Sequence, residues 1–173
     1  MSDGSDARIE LALTWRCVPF DSLSPRELQA IHRARQRVFT VEQQCAFLDA
    51  DERDEVAHHL AAWTAGDSEP VAYARLLPPG AKYGEASIGR VLTSVAMRGR
   101  GVGRELMARA LAHVSALWPR AGVRISAQTR LETFYASFGF VAVGSPYLED
   151  GIDHTEMVRP GATAGLSAAR RGD

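Results

Sequence analysis

Apolar and polar positions along the chain follow two different periods. Leu11, Leu13 and Trp15 alternate with smaller or polar residues, which indicates a strand. Other short apolar runs are bounded by turn residues such as Ala65-Gly66-Asp67 and Pro78-Pro79-Gly80. Together these runs predict strands at 11–17, 56–64, 70–77, 85–93, 123–127, 139–144 and 154–159.

Two segments of the chain have apolar residues at helical spacing. Ser24-Pro25-Arg26-Glu27 is a capping box with proline at the first helical position, and the residues after it carry three- and four-residue spacings. A second, longer helix ends before Pro119, and its apolar face consists of Val102, Leu106, Ala110, Val114 and Leu117. With a short helix near 130–137, the order of elements predicts an α/β or α+β fold with a mixed sheet.

The composition is that of a single globular domain. The 173 residues include 20 basic and 21 acidic side chains, for a net charge of −1. Proteins that bind nucleic acid through its phosphates usually carry a clear basic excess, so no nucleic-acid partner is expected. We predict one domain over residues 9–159, with flexible tails at 1–8 and 160–173.

Neither a membrane nor a disulfide is expected. The chain has no apolar run of about 18 residues, and its first residues are polar and acidic, unlike a signal peptide. Cys17 and Cys45 fit no CxxC or metal-ligand spacing. Free thiols in a cytoplasmic protein are therefore predicted.

The densest local charge lies in RGRGVGRELM, residues 98–107, just before the long helix. A helix start offers unpaired N–H groups, glycines let the backbone approach an anion, and arginines add charge-assisted contacts. The spacing fits neither a P-loop, which needs Gly-Lys, nor the dinucleotide fingerprint, whose third glycine would come one residue later. It fits RxxGxG, as Arg98, Gly101 and Gly103. Alone, the motif leaves open a phosphate site and a glycine-rich helix start.

A second motif, QTRLETFYASFGF, occupies residues 128–140. Its Tyr135, Gly139 and Phe140, together with the RxxGxG loop upstream, resemble the GCN5-related N-acetyltransferases, the GNAT family. Packing alone remains the alternative interpretation of Tyr135. Longer stretches are similar to the ElaA subgroup of that family: residues 33–54, 71–77, 88–94 and 134–157.

The resemblance implies a mixed sheet of six or seven strands flanked by helices, with two central strands splayed around acetyl-CoA. It also implies transfer of acetyl from acetyl-CoA to a primary amine, with no metal. Gln128 would contact the pantetheine, and Tyr135 would stabilise the departing thiolate by a hydrogen bond. The other implied donor contacts are the backbone of Leu92 and Thr93 and the loop residues Arg98, Gly99, Arg100, Gly101, Val102, Gly103 and Arg104.

The acceptor side is less defined by the motifs. Glu42 is the first candidate for the base that deprotonates the amine, with a solvated glutamate at a helix end as the alternative. His59 and His154 are candidates for a base or an acceptor contact, and structural hydrogen bonding explains them equally. Arg75 and Arg90 fall within predicted strands, where binding of an acceptor carboxylate competes with pairing to a nearby carboxylate such as Glu42.

The acidic run at residues 49–55 is not an EF-hand. Its sixth position, Asp54, is not glycine, and Arg53 stands at a ligand position. We expect a solvated acidic loop that faces a cationic acceptor, although Asp51 is also a candidate partner for Arg75 or Arg90.

Two functions follow from the sequence. The first is an acetyl-CoA-dependent N-acetyltransferase, and the second is a non-catalytic acyl-CoA-binding or sensing module. The motifs do not specify which amine is the acceptor, and a homodimer is one option for the oligomeric state.

Overall fold

The computed structural model describes residues 12–161, so the predicted tails lie outside it apart from positions 160 and 161. Its strands are β1 Thr14–Pro19, β2 His58–Trp63, β3 Ala72–Leu77, β4 Ala86–Thr93, β5 Val123–Gln128, β6 Val141–Glu149 and β7 Ile152–Arg159. They form one sheet in the order β1-β2-β3-β4-β5-β7-β6. Neighbouring strands are antiparallel except β4 and β5, which are parallel.

Three α-helices connect the strands: α1 Pro25–Arg35, α2 Val102–Leu117 and α3 Glu132–Ala136. α1 begins at the predicted capping box, where the Ser24 hydroxyl accepts from the Glu27 N–H and the Glu27 carboxylate accepts from the Ser24 N–H. The chain then continues into a wider π-helical turn, Gln36–Glu42. Within residues 12–161 no helix combines the length and apolarity needed to cross a bilayer.

The two longer helices cover opposite faces of the sheet. Leu106, Met107 and Ala110 of α2 belong to the larger apolar core, together with one set of alternate residues from β2 and β3. Ile31 of α1 packs with Tyr73 and other residues of the opposite set. Because successive strand residues point to opposite faces, the central strands contribute to both cores.

The predicted order of strands and helices is confirmed, while most bounds shift by one to five residues. β1 is Thr14–Pro19 where the sequence pattern predicts residues 11–17, and its first residue pairs with Trp63, the last of β2 before the Ala65-Gly66-Asp67 turn. The final hairpin is longer than predicted, since Gly144 takes a φ of +76° in a bulge and β6 continues past it. Both cysteines are free, as predicted.

The central parallel pair separates soon after it forms. Ala86 pairs with Val123 and Ser87 with Arg124, and the ladder ends there. Beyond these positions β4 continues over residues 88–93 and β5 over residues 125–128. Among residues 12–161 the inner edges of both strands therefore have no strand partner, and the splayed pair implied by the resemblance is present.

Candidate active site

The separation of β4 and β5 opens a cleft of about 420 Å³. Residues 87–93 of β4 line one wall, and Ile125, Ser126 and Gln128 of β5 line the other. The π-helical turn and the β6–β7 hairpin contribute further lining residues, including Glu42 and Glu149. Because the inner edge of β4 has no strand partner, its backbone groups can hydrogen bond to an extended ligand in the cleft.

The RxxGxG loop lies at the end of β4 and leads into α2. Gly99 and Gly101 have φ values of +73° and +81°, and a Cβ added at either would meet no atom within 4 Å. Gly101 is the N-cap of α2, and Val102 and Gly103 in the first turn have no helical acceptor for their N–H groups. A Cβ on Gly103 would lie 3.8 Å from Thr93 Cγ2, so the helix start lies against the end of β4. The open N–H groups at the start of α2 lie at the positive end of the helix dipole, and such a position suits a pyrophosphate.

The three loop arginines have different surroundings. Arg98 lines the cleft and pairs with both carboxylate oxygens of Glu42, at 2.6 and 2.8 Å. The Arg104 guanidinium lies over the rings of Phe134 and Phe138, 6.0 and 5.7 Å from their centroids. Arg100 is exposed. Glu42 therefore already accepts one hydrogen bond from each Nη group of Arg98.

A chain of hydrogen bonds spans the cleft beside Arg98. The Gln128 amide N–H₂ donates to Gln43 Oε1 at 3.1 Å, and Arg130 donates to Gln128 Oε1 at 2.8 and 3.0 Å. These bonds connect the end of the π-helical turn with the end of β5. Gln128 therefore lies at the cleft, with its amide engaged by Gln43 and Arg130.

Tyr135 presents a hydroxyl to the cleft. Its ring is buried against Phe134 and Phe140, and the residue is part of the cleft lining. Burial raises the pKa of Tyr135 to about 12. The hydroxyl makes no hydrogen bond to any of residues 12–161. Tyr135 therefore offers a neutral O–H donor at neutral pH.

The acidic run is not a solvated loop, and that prediction is wrong. Asp49 and Asp54 are 7% and 4% exposed. Both bind Arg35, whose Nε lies 2.7 Å from Asp49 Oδ2 and whose Nη1 lies 2.8 Å from Asp54 Oδ1. Burial alone would raise the pKa of Asp54, but its arginine partners hold it below the usual range. The sequence signal for this pairing was Arg35 itself, a cation within an apolar helical stripe.

Arg75 and Arg90 line the same cleft and belong to the same ion-pair network. Arg75 Nη1 lies 2.5 Å from Asp51 Oδ1 and also binds Asp54, so the pairing with Asp51 is present. Arg90 Nε lies 2.7 Å from Asp49 Oδ1, and its φ of +52° falls in the bulge between β3 and β4. Neither arginine pairs with Glu42. Their predicted contact with an acceptor stays a prediction.

His59 lies away from the cleft lining. The residue is 1% exposed, its Nε2 donates to the Asp54 carbonyl at 2.9 Å, and its Nδ1 accepts from the Tyr73 hydroxyl at 2.8 Å. Burial lowers the pKa of His59, which favours the neutral ring. These bonds tie β2 to the acidic segment, and this position gives no support to an acceptor contact.

A polar cluster from β5, β6 and β7 forms the opposite wall. Ser126 Oγ donates to Glu149 Oε2 at 2.8 Å and lies 2.6 Å from the Tyr147 hydroxyl. His154 lines the cleft, and its ring lies 6.2 Å from that of Tyr147. The sequence motifs do not mark Ser126 or Glu149. The signal is the alternation along β5, where buried apolar residues alternate with partly exposed polar ones and Ser126 belongs to the polar set.

The cleft brings together most of the predicted site residues. Those in its lining are Glu42, Arg75, Arg90, Leu92, Thr93, Arg98, Gln128, Tyr135 and His154. The loop residues Gly99, Arg100, Gly101, Val102, Gly103 and Arg104 lie beyond Arg98 at the start of α2.

Known proteins share this architecture. The family model described as an acetyltransferase (GNAT) domain matches residues 28–159. Protein ElaA of Escherichia coli K12 is 39% identical over 149 residues, which span 85% of this chain and 96% of ElaA. The crystal structure of E. coli ElaA has a TM-score of 0.80, with 86% of this chain and 99% of that chain covered.

Two further proteins resemble this chain to a similar degree. The crystal structure of an acyl-CoA N-acyltransferase from Pseudomonas aeruginosa has a TM-score of 0.81 at 44% identity, with 86% of this chain and 99% of that chain covered. A UPF0039 protein of Synechocystis is 43% identical over 148 residues, which span 86% of this chain and 96% of that protein.

The family match and the similar acyl-CoA N-acyltransferase place this fold in the class of acyl-CoA-dependent acyltransferases. The chain belongs to the GNAT acetyltransferase family, in its ElaA-like subgroup. Family membership supports acyl transfer from an acyl-CoA as the chemistry of the cleft.

Proposed function

We propose that the protein is an N-acetyltransferase that moves the acetyl group of acetyl-CoA to a primary amine. One observation carries the proposal. The free inner edge of β4 joins an open loop of N–H donors at one end to a cleft lined by Tyr135. This combination provides a place for the donor and a group that can assist the departure of its thiol.

The donor would bind along the loop and β4. The pyrophosphate would accept hydrogen bonds from the N–H groups of Gly99 to Gly103, with charge from Arg98, Arg100 and Arg104. The pantetheine would lie along the backbone of Leu92 and Thr93, opposite Gln128. This placement uses the unpaired strand edge in the way that a neighbouring strand would.

The amine would attack the thioester carbonyl directly. The N–C bond forms, the C–S bond breaks, and the developing thiolate accepts a hydrogen bond from Tyr135. With a pKa of about 12, Tyr135 is a weaker acid than a free thiol of pKa about 8.5. Complete proton transfer would cost about 5 kcal/mol from these two values, so hydrogen bonding is the role that we assign to Tyr135.

Deprotonation of the amine needs a base, because an alkylammonium of pKa about 10.4 is almost fully charged at pH 7. We propose Glu42 for this role, acting through water, because its pairing with Arg98 holds the carboxylate beside the donor loop. The hydrogen bonds from Arg98 lower the pKa of Glu42, so the carboxylate is ionised at neutral pH. A pyrophosphate that binds Arg98 would compete with Glu42 and release the carboxylate to the cleft.

An acceptor screen with parallel binding measurements tests the proposal. Acetyl-CoA would be offered with small amines, polyamines, amino acids and peptides, and both the free thiol and the acetylated product would be measured. Amino acids belong in the screen because Arg75, Arg90 and His154 line the acceptor part of the cleft. Acceptor-dependent thiol release with matching product supports the proposal. Tight acetyl-CoA binding without turnover on any amine would instead favour the acyl-CoA-sensing module.

A further inference from the structure

The chain contains a single lysine, Lys82, and every other member of its 20 lysine and arginine residues is an arginine. Lys82 lies in the connection between β3 and β4. It lines the same cleft as Tyr135 and residues 87–93 of β4. The one lysine amine of the molecule is therefore located in the candidate active site.

Lys82 lies toward the end of the cleft remote from the RxxGxG loop. Both Lys82 and Ser87 line the cleft near the start of β4, whereas Thr93 ends the strand beside that loop. Six residues of strand separate Ser87 from Thr93, which corresponds to about 20 Å. A donor whose pyrophosphate is at the loop and whose pantetheine follows β4 would point its acetyl group toward the end that holds Lys82.

The charges around Lys82 suit an acceptor amine. Its Nζ lies 4.9 Å from the centroid of the Tyr83 ring. The residue is exposed, but the surrounding protein partly desolvates the ammonium and lowers the pKa of Lys82. The charges of Arg90 and Arg75 lower it further, while Glu149 opposes them. A larger fraction of the amine is therefore neutral, and reactive, than in a fully solvated lysine.

We infer that Lys82 is an acetyl acceptor within its own chain, modified by the acetyl-CoA bound in the same cleft. This inference rests on the proposed function and adds a modification site to it. Glu149 lines the same cleft, and its charge acts on the Lys82 ammonium at this end.

The transfer balances without any other reactant. The ammonium gives one proton through water to Glu149, and the lone pair of Nζ attacks the thioester carbonyl carbon. The Nζ–C bond forms and the C–S bond breaks, while the second proton leaves Nζ and ends on the CoA sulfur. The products are N6-acetyl-lysine at position 82 and CoA with a free thiol.

The test incubates the purified full chain with acetyl-CoA and no added amine. Intact mass spectrometry and peptide mapping should find one acetyl group on the Lys82 peptide, formed at a rate independent of protein concentration. Lys82→Arg should abolish the modification, and Glu149→Gln should slow it at least about tenfold. The matched control is the double variant Lys82→Arg with Arg26→Lys, which moves the lysine to an exposed position on α1 and should not be acetylated.

A parallel reaction with added amines separates the two proposals. If amines are acetylated while Lys82 stays unmodified, the inference is wrong and the proposed function stands. If neither amines nor Lys82 accept acetyl, the proposed function itself fails. Equal acetylation of the lysine introduced at position 26, or a rate that rises with protein concentration, would overturn the intramolecular assignment.

Discussion

The two ends of the cleft are built in different ways. The donor end comes from one continuous stretch, residues 92–104, and uses backbone N–H groups that glycines leave open. The acceptor end combines side chains from β3, the β3–β4 connection, β4 and the β6–β7 hairpin. Local backbone is enough to form a site for an anionic group, whereas the acceptor end needs side chains that the whole fold must bring together.

The two ends also differ in how their charges are neutralised. The arginines of the acceptor end are already paired with aspartates, and Arg35 completes the network from α1. At the donor end, the loop N–H groups have no protein partner in the helix. Substitutions at the acceptor end should therefore affect stability first, while substitutions at the donor end should affect ligand binding first.

The largest expected effect is loss of stability in Asp54→Ala. This carboxylate binds both Arg35 and Arg75, and its removal leaves these two buried cations with Asp49 and Asp51 as their remaining carboxylate partners. We expect the free energy of unfolding to fall by about 3–5 kcal/mol, measured by chemical denaturation. Asp21→Ala, at an exposed position, is the control and should change stability by less than about 0.5 kcal/mol. A loss below about 1 kcal/mol for Asp54→Ala would show that the network does not stabilise the fold.

The same network predicts a pH dependence. The folded-state pKa of Asp54 is lowered, so its contribution to stability is present above its unfolded pKa of about 3.9 and is lost as the pH falls below that value. Unfolding of the unmodified chain should therefore become easier as the pH drops below about 4. This acid-dependent loss should be smaller in Asp54→Ala, and curves of identical slope would argue against an ionised Asp54 in the folded protein.

The next largest effect is expected at the donor end, from Gly101→Glu. A carboxylate would stand where the pyrophosphate is proposed to bind, and CoA affinity should fall at least about a hundredfold, as measured by calorimetry. Gly66→Glu is the control for backbone strain. Gly66 also has a positive φ, +90°, and open surroundings, but it lies in the β2–β3 turn. Similar losses of affinity in both variants would point to backbone strain and not to charge in the loop.

A smaller and more selective effect is expected from Tyr135→Phe. The change removes a hydroxyl that bonds to none of residues 12–161, so the fold should be retained. Loss of a hydrogen bond to a charged thiolate should lower kcat by about ten- to a hundredfold with little change in CoA affinity. Because Tyr135 stays protonated up to about pH 12, the variant should keep the pH profile of the parent. An unchanged kcat would reduce Tyr135 to a packing role.

The smallest effect, about tenfold or less in kcat, is expected from Glu42→Gln. This carboxylate is exposed, and water can replace part of the function of an accessible base. The variant also frees Arg98, so CoA affinity should not decrease. Steady-state kinetics and calorimetry together check both points. A weaker affinity for CoA with normal kcat would assign Glu42 to positioning Arg98 and would remove it as the base.

The sequence predicts the secondary structure of the donor end well because the information there is local. Strand, glycine loop and helix start follow one another within residues 88–107, and each has a recognisable pattern. The bounds of α2 follow from its apolar face and from Pro119 for the same reason.

The acceptor end could not be predicted in the same way, because its contacts join distant parts of the chain. Arg90 and Asp49 are 41 residues apart, and Ser126 and Glu149 are 23 apart. An acidic run that pairs with buried arginines has the same composition as a solvated one. Spacing within the run cannot distinguish the two, and only the register of β3 and β4 decides which arginines it reaches.

The unpaired inner edge of β4 has a consequence for how the protein behaves among other chains. A strand edge with free N–H and C=O groups is normally a place where a foreign strand adds and aggregation begins. Here that edge is recessed between β4 and β5, and the cleft walls flank it. A ligand that lies in the cleft can occupy the N–H and C=O groups that a foreign strand would otherwise use. Binding of the ligand would therefore also protect the sheet from misassembly.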